Sequence, residues 1–359
     1  MQMEHIDQNL SAEKGESNRE FLFFNAAEPP FTVLGAFEYG KDVFARRMPQ
    51  SAAVTPKLSW LNTCNSGVRV CFKTNSPLLA VQADYVGFGR TTHDTLAGSA
   101  GINIMVSENG GPLKFADLIE PSFNELFNEI NGKPAAFSRT VDLKSAAERT
   151  VVLFLPVESA VRRLTLGIVP GSSLKAANPY RYQKPVVFYG SSITMGCCAS
   201  RPGNTYPAMI SQLLNTDFLN LGFAGNALGE LEIAQHIGTL PASAFVLDYD
   251  HNAPTAKHLA QTHEPFFKAV RRLQPKLPII LLSRPIPHGA EDQERLKIIT
   301  TTYLNALNSG DRNIYFINGG NLFNGWNREL CAIDWHHPND LGYFKMAECL
   351  AGVLKPFLA

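Results

Sequence analysis

With 359 residues, 45% of them hydrophobic and 18% charged, the chain has a globular composition and length enough for about two or three domains. Its 32 Lys and Arg balance 32 Asp and Glu, so the formal charge is zero, and no basic stripe marks a nucleic-acid binder. The expected partner is therefore a neutral or weakly charged small molecule or glycan.

The opening segment, residues 1–21, is polar and lacks the apolar core of a signal peptide. No apolar run reaches the ~18–20 residues that span a bilayer, so no membrane contact is expected and cytoplasm is the expected compartment. Six cysteines (Cys64, Cys71, Cys197, Cys198, Cys331 and Cys349) lack metal-ligand spacing and read as reduced and mostly buried.

Residues 22–175 carry short apolar or alternating runs: Phe31–Phe37, Val68–Lys73, Leu78–Tyr85, Ile102–Val106, Val151–Pro156 and Arg163–Val169. Gly, Pro, Asn and Ser separate them, which predicts an all-β sandwich or jelly roll, with one short helix within Asp117–Asn128. Turns are expected at Cys64–Gly67 and Asn109–Pro112. A linker is expected at Gly171–Arg181.

From about residue 180 the rhythm changes. Val186–Tyr189, Phe218–Leu221, Phe245–Tyr249, Ile279–Leu282 and Ile314–Ile317 read as strands buried on both faces. Between and after them, Tyr206–Asn215, Leu228–Ile237, Thr255–Gln274, Glu291–Asn308 and Pro338–Phe357 read as helices. Strand-helix alternation predicts a parallel α/β sheet of about five strands, flavodoxin-like, with helices on both faces.

In such a sheet, functional groups gather beyond the carboxyl ends of the strands. Four polar blocks stand there: Tyr189–Thr194, Asn220–Asn226, Asp248–Pro254 and Asp334–Asn339. In this order they resemble the blocks of the SGNH hydrolases, the GDSL-like esterase/lipase family, over nearly all of residues 184–359. The resemblance implies a nucleophile at Ser192 within Gly190-Ser191-Ser192, where Ser191 replaces the family's Asp. It implies oxyanion donors from the Ser192 amide, Gly225 and Asn252, although the third block keeps only its Asn. Asp334-x-x-His337 implies the acid and the base.

The residue types fit that chemistry. A serine hydroxyl needs an adjacent base, and a carboxylate three residues from the histidine can hold its tautomer. Pro338 is expected at the first position of the last helix, which would keep His337 off the helix face. The α/β-hydrolase pattern Gly-x-Ser-x-Gly, with acid and base far apart, fits less well. His336, His337 and His251 do not make up a zinc set, and no metal or cofactor is expected.

Arg201 and Asn204, on the loop after Ser192, are candidate contacts to a sugar hydroxyl or carboxylate. Helix capping by Asn204 and a solvated Arg201 form the competing assignment. Arg284 is a candidate at the rim. The stretches Glu38–Asp42, Arg46–Pro49, Asn65–Thr74 and Leu155–Gly167 resemble the β-sandwich domain that precedes some bacterial SGNH esterases. Arg46 and Arg47 are candidate substrate contacts from that half. Relatives with this layout are similar to carbohydrate esterases, which implies a serine ester hydrolase acting on short acyl esters, namely O-acetyl groups of a saccharide. A non-catalytic carbohydrate-binding protein and an acyltransferase are the alternatives.

Overall fold

A computed structural model describes residues 20–39, 42–324 and 328–358, so nearly all of the polar opening segment lies outside the described residues. The N-terminal half is a pair of antiparallel sheets. One runs β1-β9-β4-β7, from β1 (Leu22–Asn25), β4 (Leu78–Gly87), β7 (Ala136–Asp142) and β9 (Ala160–Ile168). The other runs β10-β3-β8-β5-β6, with β2 paired to β3. Its strands are β2 (Thr32–Leu34), β3 (Arg69–Thr74), β5 (Ile102–Glu108), β6 (Lys114–Ile119), β8 (Arg149–Phe154) and β10 (Leu174–Ala176). Short helices α1 (Pro56–Thr63), α2 (Leu96–Ser99) and α3 (Phe123–Ile130) lie between strands. The helix expected within Asp117–Asn128 starts only at Phe123, because Lys114–Ile119 pairs with β5 and Ser122 sets the helix start with a capping box.

The second half carries β11 (Tyr182–Gly190), α4 (Ser192–Met195), α5 (Tyr206–Leu214), β12 (Thr216–Gly222), α6 (Leu231–Thr239) and β13 (Ala244–Asp248). It continues with α7 (Ala256–Leu273), β14 (Ile279–Leu282), α8 (Asp292–Asn308), β15 (Ile314–Ile317) and α9 (Asp340–Leu354). The strands form one parallel sheet in the order β12-β11-β13-β14-β15. Order reverses at β11, whose two neighbours are β12 and β13, and a doubly wound sheet opens a crevice at such a point.

Period-two alternation puts every core strand to use on both faces. On β11, Val187 and Tyr189 enter one helical layer, while Val186 and Phe188 enter the other. The N-terminal half applies the same device to the domain boundary. On β3 and β8, Val70, Phe72, Val151 and Leu153 fill the sandwich core. Cys71, Val152 and Phe154, on the opposite face, pack with Val186, Phe188 and Phe218. Met48, Ala52, Ala53 and Leu58 join the other α/β layer. The two halves thus share apolar cores, and part of the expected linker is the strand β10, paired to β3.

All six cysteines are free; five are buried and Cys349 is exposed. Among the described residues no helix is long and apolar enough to cross a membrane.

Candidate active site

Ser192 opens α4 directly after β11, with Ser191 as N-cap. The Ser191 hydroxyl accepts the Ile193 amide at 3.2 Å, so serine performs the local capping that an Asp would perform. As the first helical residue, Ser192 has an amide with no intrahelical acceptor.

The Ser192 Oγ lies 2.9 Å from His337 Nε2, and His337 Nδ1 lies 2.8 Å from Asp334 Oδ2. The other Asp334 oxygen accepts the amides of His336 and His337, each at 2.6 Å. Burial alone would raise this carboxyl, but the His337 side chain and those two amides outweigh it and hold Asp334 at about 2. The acid therefore stays charged beside the imidazole. The last helix begins later than expected: Asn339 caps α9 through the amides of Leu341 and Gly342. Pro338 instead bridges Ala332, closing the 332–338 loop that presents His337.

Beyond β12, Gly222 must be glycine, since a Cβ there would collide with the Met195 backbone amide. This close approach brings the strand end against the helix that Ser192 opens. Gly225 follows with φ 67°, a conformation that suits glycine. One N–H of the Asn252 side chain is taken by the Phe223 carbonyl at 2.8 Å, leaving its second N–H. Ser192, Gly225, Asn252 and His337 all line one cavity of about 410 Å³. A larger groove of about 900 Å³, lined by Arg271, Asp311 and other residues of the α7 and α8 ends, contains none of these groups.

The β half supplies Thr91, His93, Asp94 and Glu158 to the 410 Å³ cavity. Asp94 accepts the Cys198 amide, Thr95 Oγ1 donates to Ser200 O at 3.1 Å, and the Cys197 thiol lies 2.7 Å from Glu158 Oε1. Burial first, and then the charge of Asp94, push Glu158 up to about 7. His251 Nε2, buried and without a partner, belongs to another residue of the wall; burial and then Arg284 and neighbouring histidines hold His251 far below its ordinary range, so it is neutral. Sequence reasoning missed His93, Asp94 and Glu158. The polar run Arg90–Thr95 directly after β4 was the available signal, but nothing in sequence ties it to a strand end in the other half.

The candidate substrate arginines stand elsewhere. Arg47 is fully buried and binds backbone carbonyls, so it lies behind the site and cannot touch substrate from there. Arg46 faces Glu38 at 3.9 Å and is not among the cavity residues. Arg201 lies over the Phe115 ring, 4.5 Å from its centroid, and donates to Asn204, which in turn donates to Asp340 at 2.7 Å. Neither Arg201 nor Asn204 lines the Ser192 cavity, and the α5 cap is Thr205. Arg284 is spent on Asp250 and Asp292 and lines a neighbouring cavity of about 490 Å³. Among the described residues no group of three or more His, Cys, Asp or Glu is arranged to hold a metal ion.

A flavodoxin-like sheet with a hydrogen-bonded Ser-His-Asp series at its switch point defines an SGNH-type hydrolase domain. Residues 183–355 match the GDSL-like lipase/acylhydrolase family and residues 21–174 match the N-terminus of SGNH-hydrolase-type esterases, so each half carries a match to SGNH-type esterases. A Bacteroides ovatus protein described as a GDSL-like lipase superposes with a TM-score of 0.82 at 23% identity, covering 94% of this chain and 98% of its own. The salicylyl-acyltransferase SsfX3 of a tetracycline biosynthetic pathway gives 0.74 at 21% identity, covering 93% and 98%. A family two carbohydrate esterase from Clostridium thermocellum, solved with cellohexaose, gives 0.57 at 16% identity, covering 82% and 93%. No curated protein matches the chain.

Proposed function

We propose that this chain is a serine ester hydrolase that works through an acyl-enzyme at Ser192 on short acyl esters, its substrate the O-acetyl groups of a saccharide. The observation that carries this reading is the series Ser192 Oγ, His337 Nε2 and Nδ1, Asp334 Oδ2, with contacts of 2.9 and 2.8 Å, opening on a confined cavity. His337 takes the Ser192 proton as the hydroxyl attacks the ester carbonyl, then returns it to the leaving alcohol. The amides of Ser192 and Gly225 and the Asn252 side chain receive the oxyanion. Water, deprotonated by His337, releases the acid.

The short acyl group is supported by the cavity's 410 Å³, near the lower end for small-molecule sites, shared between acyl and alcohol. The saccharide is supported by the polar side chains of Glu158, Asp94 and His251 in an otherwise mostly apolar cavity wall, and by likeness to a carbohydrate esterase fold. The test is release of acetate from acetylated oligosaccharides by wild-type protein and by Ser192→Ala, against a series of p-nitrophenyl esters. Rates that climb steadily with acyl length would refute the short-acyl reading. Likeness to SsfX3 favours a second reading, transfer of the acyl group to an alcohol. Product analysis with a sugar acceptor present separates the two.

A further inference from the structure

We infer that Arg47 is a positioning residue of the oxyanion hole, supplied by the β half to fix the segment Asn220–Gly225. The inference rests on the ester-hydrolase reading of Ser192. Arg47 has no solvent exposure, and among the described residues no carboxylate lies within ion-pair distance of it. Its two terminal nitrogens are spent on carbonyls instead, while the buried Nε has no hydrogen-bond partner. Nη1 donates to Asn220 O at 2.9 Å and to Gly222 O at 2.8 Å, and Nη2 donates to Leu61 O at 2.6 Å. It also lies over the Phe223 ring, 4.7 Å from the centroid.

Burying a cation this way is costly, and a long apolar side chain would fill the same space without the cost. What the guanidinium adds is geometry, because its planar fork carries several donors at fixed angles and it keeps its charge. The peptide joining Gly222 to Phe223 is held at both ends: its carbonyl by Arg47, its N–H by Gly190 O at 2.9 Å on the nucleophile strand. The next carbonyl, Phe223 O, accepts the Asn252 side chain. Asn220 completes the frame, donating to Thr194 O at 2.8 Å on the nucleophile helix while its Oδ1 accepts the Gly222 amide at 2.8 Å. Two of the three oxyanion donors, Gly225 and Asn252, therefore depend on a segment that Arg47 clamps. The third, on Ser192, is tied to the same segment through Gly190 and Thr194.

The test compares Arg47→Lys and Arg47→Met with wild type on p-nitrophenyl acetate, with melting temperatures measured beside the kinetics. Lys keeps the charge without the fork; Met keeps most of the bulk and neither. Losing one oxyanion donor outright lowers kcat by about 10²–10³-fold. A misplaced pair of donors should lower kcat by roughly 10–100-fold in each folded variant, with KM within about two-fold. Asn252→Ala supplies the second arm. If Arg47 acts through that donor and its segment, adding Arg47→Lys to Asn252→Ala costs much less than Arg47→Lys costs alone. A role confined to stability would instead give additive losses that follow the melting temperature. A folded Lys variant with wild-type kcat, or fully additive losses, overturns the inference. If Met prevents folding, the Lys variant and its double mutant decide. Absence of Ser192-dependent turnover in wild type would overturn the hydrolase reading and this inference with it, whereas wild-type turnover unaffected by Arg47→Lys sinks the inference alone.

Discussion

His93 Nε2, from the β half, lies 3.5 Å from Asp334 Oδ2, the same oxygen that receives His337 Nδ1 at 2.8 Å. The His93 side chain is 49% exposed, and even an ion pair so exposed contributes only about 0–1 kcal/mol. His93→Ala should therefore lower kcat/KM by less than about five-fold. Asp334→Ala should cost roughly 10³-fold or more, because it leaves His337 without the partner that sets its tautomer. Parallel kinetics on both variants check this, and losses of similar size would promote His93 to a member of the catalytic series.

His337 and His336 are neighbours with different duties. Only His337 meets Ser192, while the His336 ring packs edge-on against His288 at 4.4 Å. His337→Ala and Ser192→Ala should each abolish ester turnover down to the residue due to binding and the oxyanion hole. His336→Ala should retain most of it, since the contribution of His336 to Asp334 is a backbone amide. Loss of activity in the His336 variant with activity kept in the His337 variant would reverse the assignment.

Glu158 predicts a pH dependence of stability. Its folded value of about 7 stands above the ordinary 4.5, so between those values the folded chain holds a proton that the unfolded chain has released. Stability therefore falls as pH rises through that window; the contribution is full below about 4.5 and gone above about 7. The size is on the order of 3 kcal/mol. Glu158→Gln cannot ionise, so its melting temperature relative to wild type should rise between pH 5 and pH 8. A constant difference across that range would show that the carboxyl does not change charge there.

Sequence made the catalytic half legible because its signals are local. Strands at Ile279–Leu282 and Ile314–Ile317 appear as expected, since continuous apolar runs bounded by turns leave little freedom. Asp334 and His337 meet because three residues of loop join them. Ser191 could be recognised as a replacement, but its capping role depends on backbone geometry at the β11–α4 junction. β1, β6 and β7 escaped: β1 carries only the brief apolar run Leu22-Phe23-Phe24, while β6 and β7 mix charged with apolar residues and take their strand character from pairing. The arginines show the deeper limit. Arg46 and Arg47 are adjacent and chemically alike, yet one reaches Glu38 and the other is sealed against Asn220 and Gly222, 173 and 175 residues away. That difference comes from the packing of two halves, and no local pattern encodes it.

The same packing predicts that the catalytic half does not stand alone. In the whole chain, Cys71, Met105, Val152 and Phe154 cover one α/β layer, and Met48, Ala52, Ala53 and Leu58 cover the other. Burying a large apolar side chain contributes about 1.5–3 kcal/mol, so losing the four largest of these approaches the 5–15 kcal/mol that a domain has in total. Polar losses add to this. Arg69, fully buried, pairs with Asp217, donates to Phe218 O at 3.0 Å and stacks 3.9 Å from the Phe218 centroid. Removing one member of a buried pair costs about 3–5 kcal/mol where the remaining charge stays buried, and excision would relieve part of this by letting water reach Asp217. Expressed alone, residues 180–359 should be insoluble or molten, with strong dye binding to apolar surface, little near-ultraviolet circular dichroism and no turnover of p-nitrophenyl acetate. Within the whole chain, Arg69→Ala should lower the melting temperature far more than any exposed arginine change, Arg163→Ala being the comparison. A 180–359 fragment that melts cooperatively and matches full-length kcat/KM would mean that the shared cores add little and that the β half is a separable unit.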